Sequence, residues 1–239
     1  NNLNKMNKKI DVLVVGAGIS GIGAGYHLQK KCPETSFLIF EGREKIGGTW
    51  DLFKYPGIRS DSDMYTLGYN FKPWKEQEAI ADAPSILEYL NETVEEFNLK
   101  NKIRFGKYVK KARWSSESNQ WTVDIEDKKT GKFSQVLCNF IFMCSGYYSY
   151  KEGYTPHFEG KENFKGDIIH PQKWDTNFDY SNKKIVVIGS GATAITIVPE
   201  MAKTAEHVTM LQRSPTYVVA APEKDNLANK LRKYLPLKF

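Results

Sequence analysis

The residues best suited to chemistry form a glycine-rich motif near the start of the chain. Gly16, Gly18 and Gly21 have GxGxxG spacing, directly after an apolar stretch and directly before a helical one. The first glycine of such a turn permits a tight bend, the second lets the backbone approach a pyrophosphate, and the third lets helix and strand pack closely. Glu41 lies 20 residues after Gly21, where an acidic residue binds a ribose diol. The pattern predicts a dinucleotide with an unmodified ribose, and the alternative is an ordinary turn with a surface glutamate.

The same motif returns with a different charged residue. Gly189, Gly191 and Ala194 repeat the spacing, again between an apolar stretch and a helical one. Arg213 and Ser214 stand at the end of the next apolar stretch, where the first motif has its glutamate. A guanidinium binds a 2′-phosphate that a carboxylate would repel, and the Ser214 hydroxyl and backbone N–H can assist. The second motif predicts NADPH, and the alternative is an arginine in a surface salt bridge.

Two dinucleotide sites in one chain indicate electron transfer from a nicotinamide to a flavin. Flavin disulfide reductases carry a redox-active cysteine pair beside the flavin, but the segment 43–52 contains no cysteine. The three cysteines, Cys32, Cys138 and Cys144, never have CxxC spacing, which argues against a metal site or a disulfide framework. The sequence therefore predicts FAD and NADPH as cofactors, no metal, and a cytoplasmic location.

The elements around the two motifs predict two βαβ units. The first consists of a strand over 10–15, a helix to about residue 31 and a strand over 36–40. The second consists of a strand over 184–188, a helix to about residue 203 and a strand over 207–211. The predicted fold class is α/β, with two Rossmann-like dinucleotide-binding domains of the three-layer ββα/βαβ type, the second one incomplete.

A helix and an antiparallel β-meander lie between the two units. Ser85 and Glu88 form a predicted capping box for a helix over about 85–98, whose apolar face consists of Ile86, Leu90, Val94 and Phe97. Three strands follow within about 107–143, and apolar residues alternate with polar ones in the middle strand. The expected order is an FAD-binding domain over 7–150 with the meander inserted, a linker over 151–182, and an NADP-binding domain over 183–239.

Composition and charge narrow the functional class. The chain has 239 residues, of which 41% are hydrophobic, so it is long enough for two domains with cores. The net charge of +6 comes mainly from scattered lysines and not from an arginine-rich stripe, which argues against nucleic-acid binding. No apolar run reaches the roughly 18 residues that a transmembrane helix needs, although association with a membrane surface stays open.

A motif in the linker carries a family resemblance. Residues 164–175, FKGDIIHPQKWD, fit the FxGxxxHxxxW(P/D) signature of Baeyer–Villiger monooxygenases, whereas the related flavin-containing monooxygenases usually have Tyr or Phe in place of Trp174. The resemblance extends over residues 7–239 and is strongest to mycobacterial and other bacterial members, notably in the stretches 47–52, 55–65, 144–148 and 211–217. From its residue type alone, His170 is expected to be a structural histidine that holds the linker.

The resemblance implies an FAD- and NADPH-dependent monooxygenase. Such an enzyme uses O2 to insert one oxygen atom next to a ketone carbonyl through a C4a-peroxyflavin, and it can also oxidise a sulfide or thioamide. Two alternatives stay open: an N- or S-hydroxylating flavin-containing monooxygenase, and a dinucleotide-binding module without turnover. Family members are about twice as long, and the arginine that their reaction needs lies beyond the matched part. The chain is therefore expected to be an N-terminal half that is inactive alone.

The resemblance also implies roles for individual residues. Beside the glycines and Glu41, the FAD contacts would be Ser20, Gly48, Thr49, Trp50, Asp51, Leu52, Tyr65 and Val109. The NADP contacts would be Arg59, Ser60, Gly189, Ser190, Gly191, Ala192, Thr193, Ala194, Ile195, Gln212, Arg213 and Ser214. Asp61 would contact both cofactors as the catalytic-site residue that orients the missing arginine, and the alternative is the N-cap of a short helix over about 62–67. For Trp50 and Tyr65 the alternative is a place in an aromatic core.

Overall fold

The first apolar stretch forms β1 (Lys8–Val15) in a computed structural model, which describes residues 8–220 and 222–235. The chain divides into two units. The first unit contains residues 8–51 and 87–148, and the second unit contains residues 52–86 and the described residues from 149 onward. Each unit contains one of the two glycine motifs, and the units are described separately below.

A six-stranded mixed sheet organises the first unit. It consists of β1, β2 (Phe37–Phe40), β3 (Ile103–Arg104), β4 (Lys107–Ser115), β5 (Gln120–Asp127) and β6 (Phe133–Met143). The strand order is β3-β2-β1-β6-β5-β4. β1 pairs in parallel with both β2 and β6, whereas β5 pairs antiparallel with both β4 and β6. The predicted meander that rejoins the main sheet is therefore confirmed, with β6 as the strand common to both parts.

Apolar residues from the parallel part and from the meander share one core cluster. Leu13, Val123, Ile125 and Cys138 are at most 1% exposed within it. Val123 and Ile125 are two of the alternating apolar residues of the middle meander strand, so the alternation identified their buried face correctly. Helix α1 (Ile19–Lys31) connects β1 to β2 and completes the first predicted βαβ unit.

The helix predicted over about 85–98 begins two residues earlier than predicted. Helix α4 spans Ala83–Glu96, and the Asp82 side chain accepts a hydrogen bond of 2.9 Å from the Ser85 backbone N–H. The predicted capping box is therefore wrong, because Asp82 caps the helix from the position directly before it. The apolar face is confirmed in its first three members, since Ile86, Leu90 and Val94 are buried.

The second unit is built on the second βαβ arrangement. It consists of β7 (Lys184–Ile188), α5 (Ala192–Met201) and β8 (His207–Leu211), and α5 ends two residues earlier than predicted. β7 and β8 pair in parallel, with Ile188 opposite Leu211 at their carboxyl ends. The buried side of α5 presents Ile197 and Met201 to a hydrophobic cluster that also contains residues of the segment 52–58.

Three short helices complete the α-helices that the structure describes. They are α2 (Thr49–Leu52), α3 (Met64–Leu67) and α6 (Asn226–Tyr234). Over residues 8–220 and 222–235, no helix is both long enough and apolar enough to cross a membrane.

The linker motif has a structural role inside the second unit. The Trp174 ring packs against the hydrophobic cluster of α5 and makes edge contacts with the rings of Phe178 and Tyr180. His170 Nδ1 accepts a hydrogen bond of 3.2 Å from the Gln172 backbone N–H, and its ring fills the space where a side chain at Gly153 would lie. These contacts fit the expected structural histidine.

Gly21 provides a direct test of how the first βαβ unit closes. A Cβ at this position would collide with the backbone carbonyl oxygen of Gly16, which has no side-chain freedom to move away. We expect Gly21→Ala to lower the free energy of unfolding by about 1–3 kcal/mol or more, measured by thermal or urea denaturation. Stability equal to that of the unsubstituted chain would contradict this packing.

Candidate functional site

The turn between β1 and α1 is closed by backbone contacts. Gly16 has a φ of 105°, and its N–H donates a hydrogen bond of 2.7 Å to the carbonyl of Phe40, the last residue of β2. A Cβ at Gly16 would strike the Cys144 carbonyl at the end of β6. Because β1, β2 and β6 all end here, the turn lies at the carboxyl edge of the parallel strands, where ligands of α/β proteins bind.

Gly18 has room for a Cβ atom at ordinary van der Waals distance, unlike Gly16 and Gly21. Its φ is −79°, which any residue can adopt, and the nearest atom to a Cβ here would be the Gly48 Cα at 3.5 Å. Gly48 belongs to a second glycine loop, whose Gly47 N–H donates to the Ala17 carbonyl at 3.0 Å. Gly18 is the N-cap of α1 and has no side chain to occupy the free N–H groups of the first turn. The residues present therefore fit a pyrophosphate group between the two glycine loops.

Glu41 is buried beside this cradle. It is 4% exposed, and its carboxylate accepts hydrogen bonds from the backbone N–H groups of Ala17 at 2.8 Å and Arg43 at 2.9 Å. Each carboxylate oxygen can accept a further hydrogen bond, so both remain able to bind ribose hydroxyls. The alternative of a surface glutamate is wrong, because the side chain is fixed against the glycine turn.

Arg43 is a site residue that the sequence analysis missed. Its guanidinium donates to the carbonyl oxygens of Gly48 and Asp51, both at 3.3 Å, and forms an ion pair with the Asp51 carboxylate. Arg43 therefore holds the second glycine loop in place. The sequence carries no spacing motif for this role, because the partners are mainly backbone atoms.

The remaining predicted FAD contacts occupy varied positions. Ser20 is exposed at the second residue of α1, while Thr49, Trp50 and Leu52 are half-buried in α2. Val109 is half-buried in β4 at a register shift against β5. Such a bulge frees a backbone group from strand pairing, which fits a contact made through the backbone.

The second glycine motif reproduces the first in backbone geometry. Gly189 has a φ of 134°, and its N–H donates a hydrogen bond of 2.9 Å to the carbonyl of Leu211, the last residue of β8. Gly191 is the N-cap of α5, with a φ of −77° against −79° at Gly18. Nothing lies within 4 Å of a Cβ built on Gly191, so this turn also has room for a phosphate group.

The charged residues at the second motif differ from those at the first. In strand register, Gln212 takes the place of Glu41, and Arg213 comes one residue later. Arg213 is exposed, and within residues 8–220 and 222–235 no acidic side chain forms an ion pair with it. The predicted alternative of a salt-bridged arginine is therefore not found among these residues. The Ser190 hydroxyl donates to the Ser214 carbonyl at 3.3 Å, which joins the turn to the segment after β8.

The residues of segment 59–65 that were predicted to be functional differ in their burial and in their hydrogen bonds. Ser60 is 1% exposed, and its backbone N–H and side-chain oxygen both bond to Ala81, so it is structural in this arrangement. Asp61 is exposed, and the N-cap of α3 is Asp63, which accepts from the Thr66 N–H at 2.9 Å. The alternative that Asp61 caps the helix is therefore wrong.

Two aromatic or cationic candidates of the same segment lie at the surface. Arg59 is exposed, and Tyr65 is 36% exposed. The Tyr65 ring lies 4.8 Å from the Arg232 guanidinium carbon, and its hydroxyl accepts a hydrogen bond of 3.1 Å from Arg232. Tyr65 is therefore partly exposed and paired with Arg232.

The three cysteines are free thiols. Cys144 directly follows β6 beside the first glycine turn, and burial raises the pKa of its thiol to about 11. Burial also raises the pKa of Cys138 to about 11. Both groups stay protonated at neutral pH, which makes them poor nucleophiles. These three cysteines therefore do not form the redox-active pair that a flavin disulfide reductase uses.

Two turns of matching backbone geometry, each at the carboxyl edge of parallel strands, have the form of the dinucleotide-binding turns of α/β proteins. Comparison with known proteins then gives the family: the FMO-like family, described as flavin-binding monooxygenase-like, matches residues 7–229, and the chain belongs to it. Over 232 residues, or 97% of its length, the chain is 56% identical to the FAD-containing monooxygenase EthA of Mycobacterium tuberculosis, of which it covers 47%. The chain spans about half the length of the curated relatives it matches.

Solved structures of monooxygenases share the fold. An oxidized steroid monooxygenase bound to NADP matches 95% of this chain and 43% of its own, with a TM-score of 0.79 and 31% identity. A cyclohexanone-bound cyclohexanone monooxygenase matches 96% of this chain and 44% of its own, with a TM-score of 0.78 and 26% identity. The predicted α/β fold class is confirmed, and so is the predicted membership of the flavin monooxygenases.

The contacts of Arg43 with the loop at Gly47 and Gly48 should contribute measurably to stability. We expect Arg43→Ala to lower the free energy of unfolding by about 1.5–3 kcal/mol, because hydrogen bonds to charged groups of a part-buried side chain are lost. The matched control is Arg113→Ala, which removes a solvent-exposed pair with Asp124 and should cost clearly less than Arg43→Ala. Urea denaturation compares the two variants, and equal losses would contradict the role of Arg43.

Proposed function

We propose that this chain provides the FAD-binding and NADPH-binding parts of a flavin monooxygenase. The observation that carries the proposal is the pair of glycine turns, which have the same backbone geometry and opposite charge at the end of the following strand. We assign FAD binding to residues 7–150 and NADP binding to residues 183–239, of which residues 7, 221 and 236–239 lie outside the described part. The linker over 151–182 contains the Trp174 signature.

FAD is the ligand proposed for the first turn. The open side of Gly18 and the N-terminus of α1 would bind the pyrophosphate, and Glu41 would accept hydrogen bonds from the adenosine ribose. Arg43 would keep the facing loop in place around the cofactor. The name of the mycobacterial relative, an FAD-containing monooxygenase, supports this ligand.

NADPH is the ligand proposed for the second turn. Gln212 brings no negative charge to the position of Glu41, and the exposed Arg213 would bind the 2′-phosphate. Thr193 and Ile195, in the first turn of α5, would lie beside the pyrophosphate. The NADP of the related steroid monooxygenase supports this choice.

FAD held at the first turn and NADPH held at the second would supply hydride transfer and the activation of O2, and one oxygen atom would pass to a small molecule. A ketone substrate is favoured by Trp174 and by the cyclohexanone of a related structure, and a sulfide or thioamide is the second candidate. We assign to Asp61, which is exposed and does not cap α3, the role of orienting a cationic group near bound NADPH. Product analysis with a ketone and a sulfide, with NADPH consumption measured alongside, distinguishes the two substrates from a module without turnover.

Two glycine substitutions should separate the cofactors. Gly18→Ala places a methyl group at ordinary van der Waals distance from Gly48, and Gly191→Ala places one in open space. Both positions have an ordinary φ, so neither substitution should unfold the chain. Gly18→Ala should weaken FAD binding, and Gly191→Ala should weaken NADP⁺ binding, each by about five- to a hundredfold, because the methyl group would overlap the pyrophosphate. Equilibrium titration of both variants with both cofactors measures this. Unchanged affinity in the matching pair, or a loss of both cofactors from one substitution, would refute the assignment.

Arg213 should determine the choice of coenzyme. Arg213→Ala should weaken NADP⁺ binding by about ten- to a hundredfold and leave NAD⁺ nearly unchanged, because a hydrogen bond to a charged group is lost only with the former. Arg213→Lys should recover part of the affinity as a point charge, and the effect should be smaller at high salt.

Lys203→Ala is the matched control for the Arg213 experiment, since it removes a charge just beyond the other end of α5. It should change neither affinity. If Arg213→Ala weakened both coenzymes equally, the arginine would support the fold and not the 2′-phosphate.

A further inference from the structure

Helix α6 and residues 74–79 form the two walls of a groove in the second unit. The Ala79 N–H donates a hydrogen bond of 2.7 Å to the carbonyl of Glu223, which lies just before the helix. The Asn229 side chain donates to the Gln77 carbonyl at 3.1 Å. These contacts fix the two walls to each other, and the groove between them has a volume of about 640 Å³.

Arg232 attaches α6 to the opposite wall through neutral acceptors. Its side chain is half-buried, and it donates to the backbone carbonyls of Trp74 at 2.6 Å and Glu76 at 3.0 Å. It also donates to the Tyr65 hydroxyl at 3.1 Å and to the Asn229 amide oxygen. No acidic side chain within residues 8–220 and 222–235 forms an ion pair with Arg232. Its positive charge therefore has no counter-charge in this part of the chain, and an anion in the groove would supply one.

Three exposed lysines line the same groove as Arg232. Lys75 belongs to one wall, and Lys230 and Lys233 belong to α6. In the part of the chain that the structure describes, none of these ammonium groups forms an ion pair with a carboxylate. The groove therefore collects four positive charges, and their fields add within one small volume.

Acidic side chains occur on or beside both walls. They are Glu76, Glu78, Glu223 and Asp225. None of them belongs to the described residues that line the groove. Glu78 forms an ion pair with Lys224, and Asp225 accepts a hydrogen bond from the Ala228 N–H as the N-cap of α6. The rest of the lining consists of the Trp74 ring and the amides of Gln77, Asn226 and Asn229.

We propose that this groove is a binding site for a phosphate-bearing small molecule. Its ammonium and guanidinium groups can only donate hydrogen bonds, and phosphate oxygens accept them while supplying the missing negative charge. Its volume lies within the range of small-molecule sites. The groove shares no lining residue with either glycine turn, so this site is additional to the two dinucleotide sites.

Inorganic pyrophosphate is the probe for this site, in a variant whose glycine turns are blocked. Gly18→Ala and Gly191→Ala together place methyl groups where the two turns would bind a pyrophosphate. Calorimetric titration of this double variant should show one pyrophosphate bound per chain, with an affinity that falls as the salt concentration rises. The absence of binding would overturn the proposal.

Lysine substitutions in the same background locate the bound anion. Lys75→Ala, Lys230→Ala and Lys233→Ala should each weaken pyrophosphate binding by about two- to fivefold, and all three together by about ten- to a hundredfold. Because all three side chains are exposed, the urea midpoint of unfolding should not change. Lys151→Ala is the matched control, since it removes an exposed lysine of the same unit outside the groove. It should leave the affinity unchanged, and an equal loss would overturn the proposal, because net charge alone would then explain binding.

Two further ligands test the chemical class. Citrate carries its negative charges on carboxylates, and it should bind more weakly than pyrophosphate at equal ionic strength. Vesicles that contain phosphatidylserine should retain the Gly18→Ala and Gly191→Ala variant no better than vesicles of phosphatidylcholine alone. Tighter binding of citrate would indicate a carboxylate site, and retention by the anionic vesicles that the triple lysine variant loses would indicate a membrane surface. Either result would overturn the proposal.

The groove and the dinucleotide sites can fail separately. If the unsubstituted chain binds neither FAD nor NADP⁺, while pyrophosphate affinity still depends on the three lysines, the proposed function fails and the groove site stands. If Arg213→Ala weakens NADP⁺ binding while the triple lysine variant keeps its pyrophosphate affinity, only the groove site fails.

Discussion

A single type of hydrogen bond sets the geometry of both candidate sites. In each βαβ unit, the N–H of the first motif glycine donates to the carbonyl of the last residue of the neighbouring parallel strand, at 2.7 Å for Gly16 and 2.9 Å for Gly189. This bond places the turn and the end of the second strand side by side. The residue that follows the second strand must therefore lie next to the glycine turn, whatever its side chain is.

The two sites then differ through a few side chains on equivalent backbones. At the first, the Glu41 carboxylate is buried and bonded to the N–H groups of the turn, so its negative charge is fixed beside any ribose that binds. At the second, Gln212 and the exposed Arg213 follow the strand. A carboxylate excludes a 2′-phosphate by repulsion and an arginine favours it by charge and geometry, so selection needs no change of fold.

The sequence predicted those parts of the structure that depend on local pattern. Buried strands, the meander and the two glycine turns follow from apolar runs and fixed spacings, and the burial of Glu41 beside Ala17 agrees with its predicted place. The start of α4 was misplaced because two capping patterns overlap, although Asp82 followed by Pro84 was a usable signal for the earlier start.

Residues that act through distant partners could not be found in this way. Arg43 bonds mainly to carbonyl oxygens of the second glycine loop, and carbonyl groups have no sequence signature. The strand register places Gln212 at the position of Glu41. The spacing along the sequence alone predicts Arg213 there, which is one residue later.

We propose that one chain contains two separate dinucleotide sites with different ligands. Calorimetric titration of the unsubstituted chain tests it most directly, first with FAD and then with NADP⁺ added to the FAD-saturated protein. One FAD and one NADP⁺ should bind per chain, and saturation with FAD should not prevent the binding of NADP⁺. Competition between the two for a single site, or binding of only one of them, would contradict it.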